Sequence, residues 1–334
     1  MIKENTLNTA LLQWIKSECA LKIQHIAAIP SGAGTRRYFR VQAGHPSVSY
    51  VIADMSQDLK SCARFLDLSD RYNKVLVQVP RIMAANVTKG YVCMADFGDR
   101  QMFHQLSQPY SVKQPYDHAL ELLPHIQSIQ AHNLPIFDEP FYWREFDVFE
   151  RFYLEDFCEA PLEAADRRRW RSLYAQLIAC AMEQPQVVVH RDYHSQNLMV
   201  CDDGTIGVLD FQDTSMGPIT YDVVSLLKDC YVSHSAEHIH SWATAYFHNH
   251  VSPCHHMDES DFLRAFGQMG LQRHLKALGT FARAHAQGDH RFLTAITQTQ
   301  HYIASLMSDS PLFQSSTSWI RPWITAKPPL KPLS

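Results

Sequence analysis

Apolar residues recur along this chain with two different periods, and the change from one to the other divides it. Leu7, Leu11, Leu12 and Ile15 fall at helical spacing interrupted by Lys16 and Glu18, which predicts an amphipathic helix rather than the apolar core of a signal segment. Short runs rich in β-branched and aromatic residues then predict strands over 25–29, 38–42, 49–55, 80–84 and 91–94, with a helix over 60–71 between the third and fourth. The first two flank Ser31-Gly32-Ala33-Gly34-Thr35, where Gly32 and Gly34 permit a tight backbone turn over phosphates.

Beyond residue 98 the period is mostly helical. Trp143, Phe146, Phe149, Phe152 and Tyr153 within 141–157, and Leu173, Leu177 and Ile178 within 163–183, place apolar side chains on one face of a helix. Further helices are expected over 221–231, 239–250, 261–274, 276–286 and 295–307, and an extended Pro-rich end over 327–332. Val187-Val188-Val189 reads instead as a buried strand, and 198–201 with 206–209 as two strands joined by the turn Asp202-Asp203-Gly204. The expected fold is α+β and two-lobed. A small N-terminal lobe (1–98) carries an antiparallel sheet, and a larger, mainly helical lobe (99–334) follows.

The chemistry concentrates at the ends of that last hairpin. His190-Arg191-Asp192-Tyr193-His194-Ser195-Gln196-Asn197 leads into its first strand, and Asp210-Phe211-Gln212 leaves its second. Pairing the strands brings Asn197 and Asp210 side by side, and two oxygen donors at one spot suit Mg²⁺, which takes one or two carboxylates plus phosphate oxygens. Asp192, five residues before Asn197, is then placed to orient or deprotonate an attacking hydroxyl. The spacing is that of the kinase signature His-Arg-Asp, Asn, Asp-Phe-Gly, with Gln212 where that signature has glycine. The few residues Thr214-Ser215-Met216-Gly217 before Pro218-Ile219-Thr220-Tyr221-Asp222 leave no room for the activation segment of a protein kinase.

Through His-x-Asp-x-His-x-x-Asn, Leu-Asp-Phe-Gln-Asp and Gly-Pro-x-x-Tyr-Asp, the chain resembles the aminoglycoside phosphotransferase and choline kinase-like superfamily over roughly residues 29–306. The wording of these motifs is most similar to the bacterial anomeric N-acetylmuramate/N-acetylglucosamine kinases of cell-wall recycling. The resemblance implies a two-lobed protein kinase-like fold, with nucleotide bound in the first lobe and catalysis in the second. It makes Asp192 the catalytic base, Asn197 and Asp210 the Mg²⁺ ligands, ATP the co-substrate and an amino sugar the acceptor. It implies a sugar 1-phosphate that a partner nucleotidyltransferase consumes. It places an inter-lobe hinge at Met94-Ala95-Asp96-Phe97-Gly98, whose backbone would meet adenine. His190 and Asp222 become structural, Asp222 bracing the catalytic loop among Val223, Val224, Leu226 and Leu227. Asp213 and Asp229 could reach sugar hydroxyls or be plain surface carboxylates. One expected part is missing: the third strand has no Lys for the α- and β-phosphates. Arg36, Arg37 and Arg40, or Lys60, are the cations available to replace it, and alternation along a strand lets only one of Arg37 and Arg40 face the cleft.

The 334 residues, 46% of them hydrophobic, suffice for two lobes, and a net charge of −4 gives no general attraction to nucleic acid or anionic membrane. Eight cysteines without a Cys-x-x-Cys pair fit reduced thiols in a cytoplasm. No stretch approaches the ~20 apolar residues of a membrane helix. His248, His250, Cys254, His255 and His256 fit no closed zinc pattern, and Arg167-Arg168-Arg169-Trp170-Arg171 reads as a solvated helix face. From Phe262 to Phe292 five Lys or Arg (264, 273, 276, 283, 291) stand against the single acid Asp289. That balance suits a neutral or anionic acceptor better than a polycation. Two other readings remain open: a choline- or aminoglycoside-type kinase, and a non-catalytic nucleotide-binding module, the latter prompted by the missing Lys.

Overall fold

The structure is a computed structural model and describes residues 8–30, 36–105, 113–158, 162–309 and 313–325. Gly32, Gly34 and the Pro-rich end lie outside the described residues. In chain order the elements are α1 (Thr9–Ser17), β1 (Ile23–Ile29), β2 (Arg37–Ala43), β3 (Val48–Asp54), α2 (Leu59–Lys74), β4 (Ile82–Asn86), β5 (Tyr91–Ala95), α3 (Met102–Gln105), α4 (Lys113–Gln127) and α5 (Glu139–Val148). Next come α6 (Ala164–Glu183), β6 (Gln186–Val189), β7 (Leu198–Val200), β8 (Ile206–Val208), β9 (Ser215–Pro218), α7 (Tyr221–Leu227) and α8 (Ala236–Tyr246). The long α9 (Glu259–Ala286), α10 (Leu293–Asp309) and α11 (Gln314–Ile324) complete the chain. Among the described residues no helix is long and apolar enough to cross a membrane.

The chain forms two compact units, residues 1–118 with 196–213 and residues 119–195 with 214–334. The first is built on an antiparallel sheet of order β1-β2-β3-β5-β4. Alternation along β2 buries Phe39, Val41 and Ala43 on one face, where Leu11, Trp14 and Ile15 of α1 cover them together with Ile52, Tyr91 and Cys93. Tyr38 and Arg40 belong to the opposite face. This division differs from a cut at residue 98, because the β7–β8 hairpin packs with the sheet unit. Val200 N–H donates to Arg100 O (2.8 Å), Val208 N–H to Gln78 O (2.8 Å), and Phe211 stacks on Phe65 of α2 at 4.8 Å.

The second unit is helical. Phe146 of α5 stacks on Tyr174 of α6 at 4.0 Å, and buried Tyr153 donates to Trp323 O at 3.0 Å while accepting from Gln300. Several expected helices are redrawn. The helix over 141–157 starts at Glu139 and changes at Phe149 to wider π-helical turns over Phe149–Phe157. There Gly279 of α9 comes so close that a Cβ on it would lie 2.6 Å from Phe149 Cα. The helices expected over 261–274 and 276–286 are one helix of 28 residues, since Leu275 is fully buried and nothing near it breaks the winding. The helix expected over 221–231 ends at Leu227, where the chain turns to present Asp229. Four elements had no sequence expectation: the short α3, α4, whose Tyr116, Leu120, Leu123 and Ile126 have helical spacing despite Pro124, α11, and β9. Strand β9 (Ser215–Pro218) is a strand only because β6 pairs with it, Val188 opposite Met216.

Candidate active site

Strand β6 is buried and delivers the loop 190–195, which two carboxylates from distant positions hold. Asp222, 2% exposed in the first turn of α7, accepts from His190 N–H (2.6 Å) and Arg191 N–H (3.0 Å). Burial raises its pKa, and the two donors and His190 oppose that rise. Asp229, 1% exposed, accepts from Ser195 N–H (2.9 Å), Ser195 Oγ–H (2.5 Å) and Tyr231 N–H (2.9 Å). It is therefore no surface carboxylate: three donors engage it and fasten the loop, and it also lines the cavity beside Asp192. Arg191 sits at φ +82°, a strained value for a bulky residue, and the bond from its own N–H to Asp222 helps to hold it there. His190 is fully buried beneath the loop, its ring 5.7 Å from that of Tyr193, whose hydroxyl donates to Ala119 O.

Asp192 stands midway between these anchors. Lys276 Nζ lies 3.6 Å from its Oδ1. Arg273, above the Tyr221 ring at 4.4 Å, donates to Arg191 O (2.9 Å) and Ser225 Oγ (2.7 Å). Burial alone would raise the Asp192 pKa, but Lys276, His194, Arg273 and Arg191 together hold it well below the usual carboxylate range. A cavity of about 190 Å³ opens here, lined by Asp192, His194, Tyr231, Arg273, Lys276 and Phe281 among others. An ionised carboxylate facing such a cavity can accept a proton from a bound hydroxyl.

In the sheet unit, β7 and β8 pair as the sequence predicts, Leu198 opposite Val208, and Leu209 N–H donates to Asn197 O at 2.8 Å. Asp210 follows at φ +60°, a left-handed turn that Asp tolerates better than most residues. Gln212, in the position of the signature glycine, donates from Nε2 to Asp210 Oδ1 (2.7 Å), and its own carbonyl accepts from Arg64 (2.8 Å). A cavity of about 510 Å³ has Asn197 and Asp210 in its wall, with Tyr38, Arg40, Val51 and Met94 from the sheet. Its apolar floor and the chain over residues 94–98 suit a heterocycle, and its two hard oxygen donors fit a divalent metal shared with phosphate oxygens. Among the described residues no three His, Cys, Asp or Glu side chains form a metal cluster.

The arginines separate by strand face. Arg40 lines this cavity and is bound to Asp96 (2.6 Å), Asp99 (2.6 Å) and Gly98 O (3.0 Å). The Asp96 carboxylate also accepts from Ser49 Oγ–H (2.6 Å) and Gly98 N–H (2.9 Å), so it orders the turn after β5. Arg37 is elsewhere, paired with Asp54 across β3 at 2.5 Å. Arg36 is the arginine beside the metal candidates, 3.9 Å from Asp210 and 3.8 Å from Asp213. The sequence points to Arg37 and Arg40 as the phosphate cations, whereas Arg36, one position before Arg37, is the one that stands beside Asp210 and Asp213. In the sequence Arg273 and Lys276 count only as charge, and the excess of cations over 262–292 was the signal that pointed to them.

Comparison with known proteins agrees with this geometry. The phosphotransferase enzyme family model matches residues 25–256. The N-acetylmuramate/N-acetylglucosamine kinase of Pseudomonas aeruginosa is 35% identical over 285 residues, 84% of this chain and 83% of that protein. The protein of the same name from Pseudomonas putida is 33% identical over 292 residues, 86% of this chain and 84% of its own. Among solved structures, the ADP-bound aminoglycoside phosphotransferase APH(2'')-Ib superposes with TM-score 0.61 at 15% identity, over 92% of this chain and 99% of its own. Choline kinase LicA from Streptococcus pneumoniae does so with TM-score 0.63 at 12% identity, over 90% and 100%. These likenesses give the expected α+β, kinase-like fold. With a family model spanning most of its length, relatives matched over more than four fifths of both chains and a kinase fold, the chain belongs to the phosphotransferase enzyme family.

Proposed function

We propose that this enzyme transfers the γ-phosphoryl group of MgATP to the anomeric hydroxyl of an amino sugar, N-acetylmuramate or N-acetylglucosamine. The observation that carries the reading is Asp192, held as a carboxylate by Lys276 and its neighbours in the wall of a sugar-sized cavity. The named activity of the relatives supplies the acceptor class. Asp192 orients the acceptor hydroxyl and takes its proton late in an in-line transfer, where positioning supplies most of the catalysis. The anomeric hydroxyl is more acidic than an ordinary alcohol, which lowers the demand on so weak a base. Asn197 and Asp210 hold Mg²⁺, which offsets charge on the phosphates when bound. Arg36, beside Asp210 and Asp213, adds the cation that the third strand lacks. Met94 and the residues up to Gly98 receive adenine, with Arg40 and Asp96 shaping that turn. Asp222 and Asp229 keep the loop in register, and His190 fills the space under it.

The product would be a sugar 1-phosphate, consumed by a nucleotidyltransferase in cytoplasmic peptidoglycan recycling. Incubation with ATP, Mg²⁺ and each sugar, followed by ³¹P spectroscopy, tests this reading. A phosphorus coupled to the anomeric proton is expected, whereas a 6-phosphate would move the reaction to another hydroxyl.

A further inference from the structure

Beside the cavity that holds Asp192 lies a second cleft of about 350 Å³, and its lining is unusually cationic. It is formed by two helix stripes and one loop residue. Phe141, Arg144, Glu145 and Val148 come from α5, and Lys276, Thr280 and Arg283 from α9, each set at the i, i+3/i+4, i+7 spacing of one helix face. Arg191 of the catalytic loop closes it, its guanidinium 5.2 Å above the Phe141 ring. Four cations therefore face one acid. Glu145 is already engaged, accepting from Gln272 Nε2 (3.0 Å) and lying 3.9 Å from Arg191. Arg144 and Arg283 are exposed, and among the described residues neither has a carboxylate within salt-bridge distance. Lys276 and Thr280 line both cavities, so the cleft adjoins the Asp192 site.

We infer that this cleft is a carboxylate subsite, in which Arg144 and Arg283 receive an acidic substituent of the acceptor. Resting on the amino-sugar reading above, this gives the preference between the two sugars a physical basis. N-acetylmuramate carries a lactyl carboxylate on its ring, and N-acetylglucosamine has only a hydroxyl there. Guanidinium groups bind a carboxylate through paired hydrogen bonds and are solvated less strongly than an ammonium, so a half-open cleft is where they outperform lysine. A polycationic acceptor would be repelled from the same place.

The test compares kcat/KM for the two sugars in wild type, Arg144→Ala, Arg283→Ala and the double Arg144→Glu/Arg283→Glu. Both arginines are exposed, so folding is not at risk. Loss of a charge-assisted contact worth about 1.4 kcal/mol lowers the N-acetylmuramate to N-acetylglucosamine ratio by about tenfold. The charge-reversed double should lower it further, and rising salt should raise KM for N-acetylmuramate more steeply than for N-acetylglucosamine. Ratios that stay within about twofold in all variants, or a fall shared equally by both sugars, would overturn the inference. A wild-type enzyme that uses N-acetylglucosamine alone would also overturn it while leaving the amino-sugar reading intact. Turnover of neither sugar would remove that reading, and this inference with it.

Discussion

At the scale of single residues, the site turns on how one carboxylate is kept ionised. Asp192 is partly buried, which opposes charge, yet Lys276 at 3.6 Å and the neighbouring His194, Arg273 and Arg191 outweigh the burial. Asp192→Asn keeps the shape but cannot accept a proton, so kcat should fall by about 10²–10⁴ while ATP affinity is largely kept. A kcat close to wild type would assign the base elsewhere. Lys276→Met gives a separate check on the electrostatics. Removing the cation destabilises the carboxylate, so Asp192 binds a proton at higher pH, and the acidic limb of kcat/KM should move up by about one unit or more. Lys276→Arg should restore the limb, and an unmoved limb in Lys276→Met would sink the assignment. Gln212 departs from the kinase signature, and its amide donates to Asp210 Oδ1 at 2.7 Å, a contact glycine cannot make.

Among the elements, strand parity and close helix packing decide what each residue can do. Arg37 and Arg40 are three positions apart on β2 and so lie on opposite faces. Arg40→Ala loosens the turn holding Asp96 and Asp99 and should raise KM for ATP. Arg37→Ala instead takes the cation from Asp54, 2% exposed, and leaves it the hydrogen bond from Ser56 N–H. Its main effect should be a stability loss of about 1–3 kcal/mol in denaturant unfolding. Equal effects of the two variants on ATP kinetics would contradict this division. The contact of α9 with the π-helical turns is equally specific. Gly279→Ala puts a Cβ against the Phe149 backbone, which cannot swing aside as a side-chain tip can. A cost of about 1–3 kcal/mol should appear as a lower unfolding midpoint with unchanged denaturant slope. A midpoint equal to wild type would show that the turns relax freely.

For the molecule as a whole, the proposed roles divide between the two compact units, with the metal candidates in the sheet unit and Asp192 in the helical one. Ligand linkage should report on the first. MgATP at 100 times its Kd should stabilise the protein by about 2.7 kcal/mol. Asp210→Ala should lose the Mg²⁺-dependent part of that gain together with turnover, and full Mg²⁺-dependent stabilisation in this variant would remove the metal role. The sequence by itself determined the α+β character of the chain, the β7–β8 hairpin and the placing of Asn197 and Asp210 at its outer ends. All three are local: alternation, turn residues and short spacings act within a few residues. The cation excess over 262–292 was also legible, as a count without a location. Only the tertiary structure decided that Lys276 meets Asp192 while Arg283 lines a neighbouring cleft, because these side chains lie 84 and 91 positions along the chain from Asp192 and only helix packing sets them in place. It likewise decided that Asp229 anchors the loop and that Ser215–Pro218 is a strand, since a hydrogen-bond partner more than 25 residues away leaves no periodic trace in the sequence.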